Sequence, residues 1–215
     1  MRSSAAAVAL LLKDEGFVGR PYWPGGVSGV TLDYGYDLGY HDDATFTRHW
    51  SRWLTPDEVT LLGNAVGYRG AGASHVLTGL GLTTIAISVA AAQEVFTDDS
   101  LPAVEAEVLA AMPGADELPP DAFGALADLI YNRGPAMGDG PPQDPRRLEM
   151  RAIRSAVAAY AATTLPDGRA AILEGIAHQL DLMGDRLWPD LTNPLDRNLN
   201  ARRHAEAALV RQATP

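Results

Sequence analysis

Glu15 closes the first helical run of this chain, and further on the stretch Val30 to His41 alternates like a strand. Its even positions read Val30, Leu32, Tyr34, Tyr36, Leu38 and Tyr40; its odd positions read Thr31, Asp33, Gly35, Asp37, Gly39 and His41. A period of two puts Thr31, Asp33 and Asp37 on one polar face of a strand or hairpin. A carboxylic acid set against a carboxylate-and-hydroxyl face is what hydrolysis of a glycosidic bond requires. The acid of such a pair must hold its proton near neutral pH. Glu15 stands where a helix should end, and the partial negative charge of a helix C-terminus disfavours a carboxylate there. The apolar neighbour Phe17 adds desolvation. The plainer use of Glu15 is an ion pair with Lys13, Arg20 or a distant arginine.

The partner acid is harder to place. No acid lies between Gly16 and Val30, so the base is Asp33, Asp37 or a distant group. Asp33 is two residues from Thr31, about 6–7 Å along a strand. Asp37 would be about 20 Å from Thr31 on a straight strand, so it reaches that hydroxyl only if the chain folds back near Gly35, which glycine permits. Spacing alone favours Asp33. Either aspartate equally suits a solvated strand position.

The elements around these residues read as mostly helical. Residues 3–15 form a helix with Val8, Leu11 and Leu12 on one face. Residues 17–41, rich in Gly, Tyr and Pro, form a small β-sheet or hairpin with loops, and Tyr22-Trp23-Pro24-Gly25-Gly26 is a turn signal. Thr55-Pro56-Asp57-Glu58 starts a helix that runs to about Val66, with Thr55 and Glu58 as a capping box. Tyr68 to Ser74 is a Gly-rich loop. Helices at 84–96 and 102–112 are split by Thr97-Asp98-Asp99-Ser100. Asp121 caps a helix carrying Phe123, Leu126, Leu129 and Ile130 that ends at Asn132-Arg133-Gly134. Gly138 to Pro145 is a loose, mobile loop, and helices follow at 146–163, 167–183 and 198–211. The expected fold class is α+β, mainly α. It forms one domain over 1–215, with a small β lobe at about 16–45 and a helical remainder.

Bulk composition narrows the partners. The chain has 215 residues, a net charge of −10, 47% apolar and 20% charged residues, and no cysteine. Disulfides and thiolate metal sites are excluded. Lys13 is the sole lysine among 17 basic residues. An acidic chain lacks the basic footprint that nucleic acid needs, and no run is long enough for membrane insertion. The N-terminal stretch mimics a signal peptide but runs straight into Lys13-Asp14-Glu15 with no clear cleavage site, so an amphipathic helix is preferred. His41-Asp42-Asp43 has the wrong spacing for a metal site. No phosphate-cradling loop, nucleophile elbow or cofactor motif is present.

Four stretches in order resemble the phage-type lysozymes. Glu15-Gly16 followed by Gly29-Val30-Thr31-Leu32-Asp33-Tyr34-Gly35-Tyr36 is similar to their Glu-Gly … Thr-Ile-Gly-Tyr-Gly signature. Ala125-Leu126 … Ile130-Tyr131-Asn132-Arg133-Gly134 resembles their central helix. Arg186-Leu187-Trp188 and Arg202-Arg203-His204-Ala205-Glu206-Ala207 resemble their closing segments. Phage-type lysozymes usually carry an Asp between the Glu and the Thr, which this chain lacks. The pesticin-like branch places its catalytic Asp after the Thr, and Thr31 and Asp37 stand in the matching places, although the family usually has Gly where Asp33 stands. The resemblance implies a two-lobed, mainly helical lysozyme-like fold and hydrolysis of the β-1,4 bond between N-acetylmuramic acid and N-acetylglucosamine in peptidoglycan. Glu15 is then the general acid, Asp37 with Thr31 the water-activating pair, and Asp33 the second choice. Inversion follows if the carboxyl groups are about 6.5–9.5 Å apart and retention if about 5–5.5 Å; the resemblance leans towards inversion.

Trp23, Tyr34 and Tyr36 are candidates to stack on sugars or to pack in the sheet. Asn132 and Arg133 are candidates to line the cleft, with helix capping the alternative for Asn132. Arg202 or Arg203 is the implied partner of Glu15, a surface ion pair with Glu206 being the alternative. No cofactor or metal is expected. The expected partner is the peptidoglycan strand, joined by an immunity protein if the chain is a delivered effector. The expected place of action is the periplasm or cell wall, reached by delivery or by release as a phage lysin. Two other activities fit the same residues: a non-catalytic glycan- or protein-binding module, and a lytic transglycosylase.

Overall fold

The structure is a computed structural model that describes residues 2–215. The fold is α+β and mainly α, 66% helical with one two-stranded antiparallel sheet. Chain contacts divide it into two compact units, one of residues 1–14 with 103–215 and one of residues 15–102. The second unit therefore runs well past the 16–45 stretch expected for a β lobe.

The first unit is helical. It holds α1 (Ala5–Glu15) up to Asp14, most of α6 (Leu101–Ala111), α7 (Pro120–Arg133), α8 (Leu148–Ala162), α9 (Pro166–Leu187) and α10 (Pro194–Gln212). Every residue from Ala122 to Ile130 is buried, so α7 is the central helix, apolar round its middle except at Asp128. Helix α10 packs on α7 and α9, and α8 packs on α9. The buried face of α1 carries Ala7 and Leu11, not the expected set centred on Val8, Leu11 and Leu12. The close seat of α1 depends on Gly124, where a Cβ would lie 2.2 Å from that of Ala7.

A charged cluster joins the same helices. Arg202 pairs with Asp128 and lies 3.8 Å from Asp14; Arg203 pairs with Glu206 at 2.5 Å. Burial pushes the Glu206 carboxyl well above the usual carboxylate range. Arg203 pairs with Glu206, the partner raised as the alternative, but the pair is fully buried and not the surface ion pair expected.

In the second unit the chain enters an irregular loop, forms β1 (Thr31–Leu32) and β2 (Tyr36–Asp37), then α2 (Asp43–Trp50), α3 (Pro56–Gly63), α4 (Ala71–Gly79) and α5 (Val89–Val95). Helix α2 is absent from the sequence expectation, though Asp42 caps it by accepting from the Thr45 amide; His41-Asp42-Asp43 is a helix start. The Thr55–Glu58 capping box forms as read. Helix α4 begins inside the stretch expected as a Gly-rich loop, because its Gly and Ala residues hide the apolar period. Helix α7 starts at Pro120, one residue before the expected cap, with Pro in the first turn. Thr97 to Ser100 does not break the helix: a π-turn over Phe96–Ser100 leads from α5 into α6. The Gly138–Pro145 loop is held in place, since the Arg151 guanidinium donates to the carbonyls of Met137, Gly138 and Asp144, and Arg154 grips Asp139.

Candidate active site

The hairpin carries the predicted acids, and its turn decides which can act together. Tyr34 (φ 50°) and Gly35 (φ 78°) both take positive φ, the combination of a type I′ turn, whose twist suits two-stranded hairpins. The Tyr36 amide closes the turn onto the Asp33 carbonyl at 3.4 Å. The register then sets Thr31 opposite Asp37 and Leu32 opposite Tyr36. The separation of a straight strand is thereby removed, and the hydroxyl and carboxylate become cross-strand neighbours.

The two aspartates have different surroundings. Asp33 is 2% exposed; its carboxylate accepts from the Val18 amide at 2.5 Å and the Gly19 amide at 2.9 Å. It anchors the loop that follows α1. Asp37 is half-buried. Its Oδ1 accepts from the Gly29 amide at 3.0 Å and the Gly39 amide at 2.8 Å, while its Oδ2 shares only the Gly29 amide. Two glycines make this cradle possible. A Cβ on Gly29 would meet Asp37 Oδ1 at 2.2 Å and the Gly39 nitrogen at 2.4 Å. The segment after α3 braces it from outside: Arg69 Nε donates to the Gly39 carbonyl at 2.8 Å, and the Gly70 amide donates to the Ser28 carbonyl at 2.9 Å.

Tyr22 extends the hairpin on the Thr31 side. Its backbone bridges to Thr31, with the Tyr22 amide donating to the Thr31 carbonyl at 3.0 Å and the reverse bond at 2.8 Å. Its phenol is pushed above its ordinary value, first by burial and then by the charges of Glu15, Asp33 and Asp37. One hydroxyl thus feels all three candidate carboxylates. Glu15 itself is the last residue of α1 and is half-buried. Sequence reasoning treated Tyr22 only as the start of a turn. An isolated bridge of one residue pair leaves no periodic signal in the sequence.

The aromatic candidates divide. Tyr34 and Tyr36 are buried, so they pack rather than offer a platform for sugar. Tyr34 lies between Phe17 and Phe96 at centroid distances of 6.0 and 6.2 Å. Tyr36 stacks on His41 at 4.1 Å and bonds through its hydroxyl to His49 Nδ1 at 3.1 Å. His49 faces Asp99 at 3.4 Å. Trp23 is half-buried and donates its indole N–H to the Ser28 carbonyl at 3.0 Å, closing the loop before the hairpin.

Asn132 and Arg133 belong to the helical unit, where both line a cavity of about 510 Å³ with Arg146, Arg147 and Trp188. The cap of α7 is Gly134, whose amide bonds the Ile130 carbonyl, so Asn132 is not the cap.

Comparison of the sequence with protein-family models gives no match. Comparison with curated proteins gives no match either.

Proposed function

We propose that this chain is a glycoside hydrolase of lysozyme type, a muramidase that cuts the β-1,4 bond between N-acetylmuramic acid and N-acetylglucosamine in peptidoglycan. Glu15 protonates the glycosidic oxygen as the bond to the anomeric carbon breaks. Asp37, helped by the buried Thr31 across the hairpin, takes a proton from a water that attacks that carbon from the opposite face. The observation that carries the reading is the hairpin register, which sets Thr31 opposite Asp37 and leaves the half-buried Asp37 carboxylate held by the Gly29 and Gly39 amides. Asp37 is chosen over Asp33 because one of its oxygens keeps room to accept from water, whereas Asp33 is enclosed and committed to Val18 and Gly19. The likeness of four stretches to phage-type lysozymes, closest to the pesticin-like branch, supports the same assignment. The substrate puts the site of action at the cell wall.

Purified cell walls provide the test, with turbidity read against time and the released glycans weighed by mass spectrometry. The wild type should clear the suspension and release products that carry one added water per bond cut. Glu15→Gln and Asp37→Asn should each lower the rate by about 100-fold or more with unchanged circular dichroism. Undiminished clearing by both variants overturns the assignment. Anhydro-sugar products would make the chain a transglycosylase, and glycan binding without clearing would make it a binding module.

A further inference from the structure

The cavity in the helical unit concentrates positive charge in a chain whose net charge is −10. Arg133 ends α7, and Arg146 and Arg147 lie in the short 3-10 turn Pro145–Arg147 that leads into α8; all three side chains line the cavity. Two reciprocal bonds fix the geometry. Arg133 donates to the Arg146 carbonyl at 2.7 Å, and Arg147 donates to the Arg133 carbonyl at 2.7 Å. These bonds use neutral carbonyls, so they hold the guanidinium groups together without cancelling their charge. The Arg133 Nε is buried and has no hydrogen-bond partner among the described residues.

Nearby carboxylates are committed elsewhere. Glu149 grips Arg186 through both oxygens at 2.5 Å. Asp144 reaches the cavity, but its Oδ1 accepts from the Arg146 amide at 2.8 Å as the cap of the 3-10 turn. Burial first, and then the charges of Arg147, Arg203 and Arg146 against that of Glu149, lower the Arg133 guanidinium to about 10.

Part of the lining is apolar. Trp188 presents its ring under Arg133, 5.4 Å from guanidinium carbon to ring centroid, and Leu195 and Leu199 continue it. Guanidinium forks match the oxygens of phosphate and carboxylate two at a time. A cavity of about 510 Å³ holds more than one such group, and the excess space faces the indole and the leucines.

We infer that the Arg133–Arg146–Arg147 cavity binds a small organic oxyanion, with its phosphate or carboxylate head on the guanidinium groups and its carbon body against Trp188. The proposal does not rest on glycan cleavage by the hairpin acids, and its test does not use turnover.

Four probes separate head from body: phenyl phosphate, inorganic phosphate, benzoate and benzyl alcohol. Binding is followed by calorimetry and by the Trp188 indole N–H resonance, assigned with Trp188→Phe. Phenyl phosphate or benzoate should shift that resonance saturably and bind at least about tenfold more tightly than inorganic phosphate, because the ring is buried as well. Whichever of the two binds more tightly identifies the head group, and either result upholds the site. Arg133→Gln should weaken binding by about tenfold or more by removing a charged fork. Arg146→Ala, an exposed position where folding is not at stake, should do the same. Absence of a saturable shift with every anion overturns the proposal. So does anion binding that survives both arginine changes, or benzyl alcohol binding as tightly as phenyl phosphate.

Discussion

Asp33 and Asp37 both accept backbone N–H groups, yet their exposure separates their roles. An enclosed carboxylate that ties down Val18 and Gly19 acts on stability. Asn in its place keeps one acceptor, loses the charge and buries an amide N–H facing other donors. Asp33→Asn should therefore cost about 1–3 kcal/mol, read from the urea midpoint, while turnover per folded molecule persists. Asp37→Asn should show the reverse pattern, with turnover lost and the midpoint little changed. If Asp33→Asn abolished turnover at an unchanged midpoint, the two roles would be exchanged. The residue types of this site were legible from the alternation alone. The choice between the aspartates was not, because it depends on which carboxylate the surrounding chain encloses.

At the scale of elements, the hairpin works because its two ends close on one carboxylate. Gly29 lies before β1 and Gly39 follows β2, and their amides hold Asp37. Gly29→Ala would drive a Cβ into the Asp37 carboxylate and the Gly39 nitrogen. Backbone on one side leaves the carboxylate as the group that moves. A displacement near 1 Å costs about 100-fold in rate, so turnover should fall by roughly that factor while circular dichroism stays native. A rate within a factor of about two of wild type would show that the cradle does not position the base.

Helix α1 offers a second test of close approach. Gly124→Val should force Ala7 and Ser3 away from α7 and lower stability by about 1–3 kcal/mol, the usual cost of overpacking. Thermal melts would detect it. The capping box at Thr55 was readable because it is a local hydrogen-bond pattern. Helix α4 and the π-turn were not, since their formation depends on packing by Ala73, Val95 and Phe96 more than on any local signal.

For the whole molecule, the histidines of the two units respond to pH in opposite directions. Burial lowers His49 and His41 below the ordinary 6.5. For His49, Arg48 and Arg52 act with burial, against Asp99. The unfolded chain therefore binds more protons near and below pH 6.5, and their contribution to stability is present above that pH and is lost as the pH falls through the folded values. His204 is raised: its bonds to Asp181 at 2.6 Å and Asp185 at 3.0 Å outweigh burial. Its contribution is present below pH 6.5 and is lost as the pH rises through the folded value. In Trp188→Phe the remaining tryptophans, Trp23, Trp50 and Trp53, all report on residues 15–102. Their melting temperature should drop as pH falls from about 7 to 5, and His49→Gln should flatten that drop. A melting temperature independent of pH in this range, in the variant retaining both histidines, would refute the assignment.

The sequence by itself determined the helical majority, the hairpin and the types of the acids in it, because hydrophobic period and turn chemistry are local properties. Tertiary structure decided that Asp37 rather than Asp33 is the partly open carboxylate, that Tyr34 and Tyr36 belong to the core, and that Tyr22 bridges to Thr31. It also gathered three arginines around Trp188. Those outcomes depend on which surfaces meet when distant segments pack, and burial of that kind has no signature in the spacing of residues along the chain.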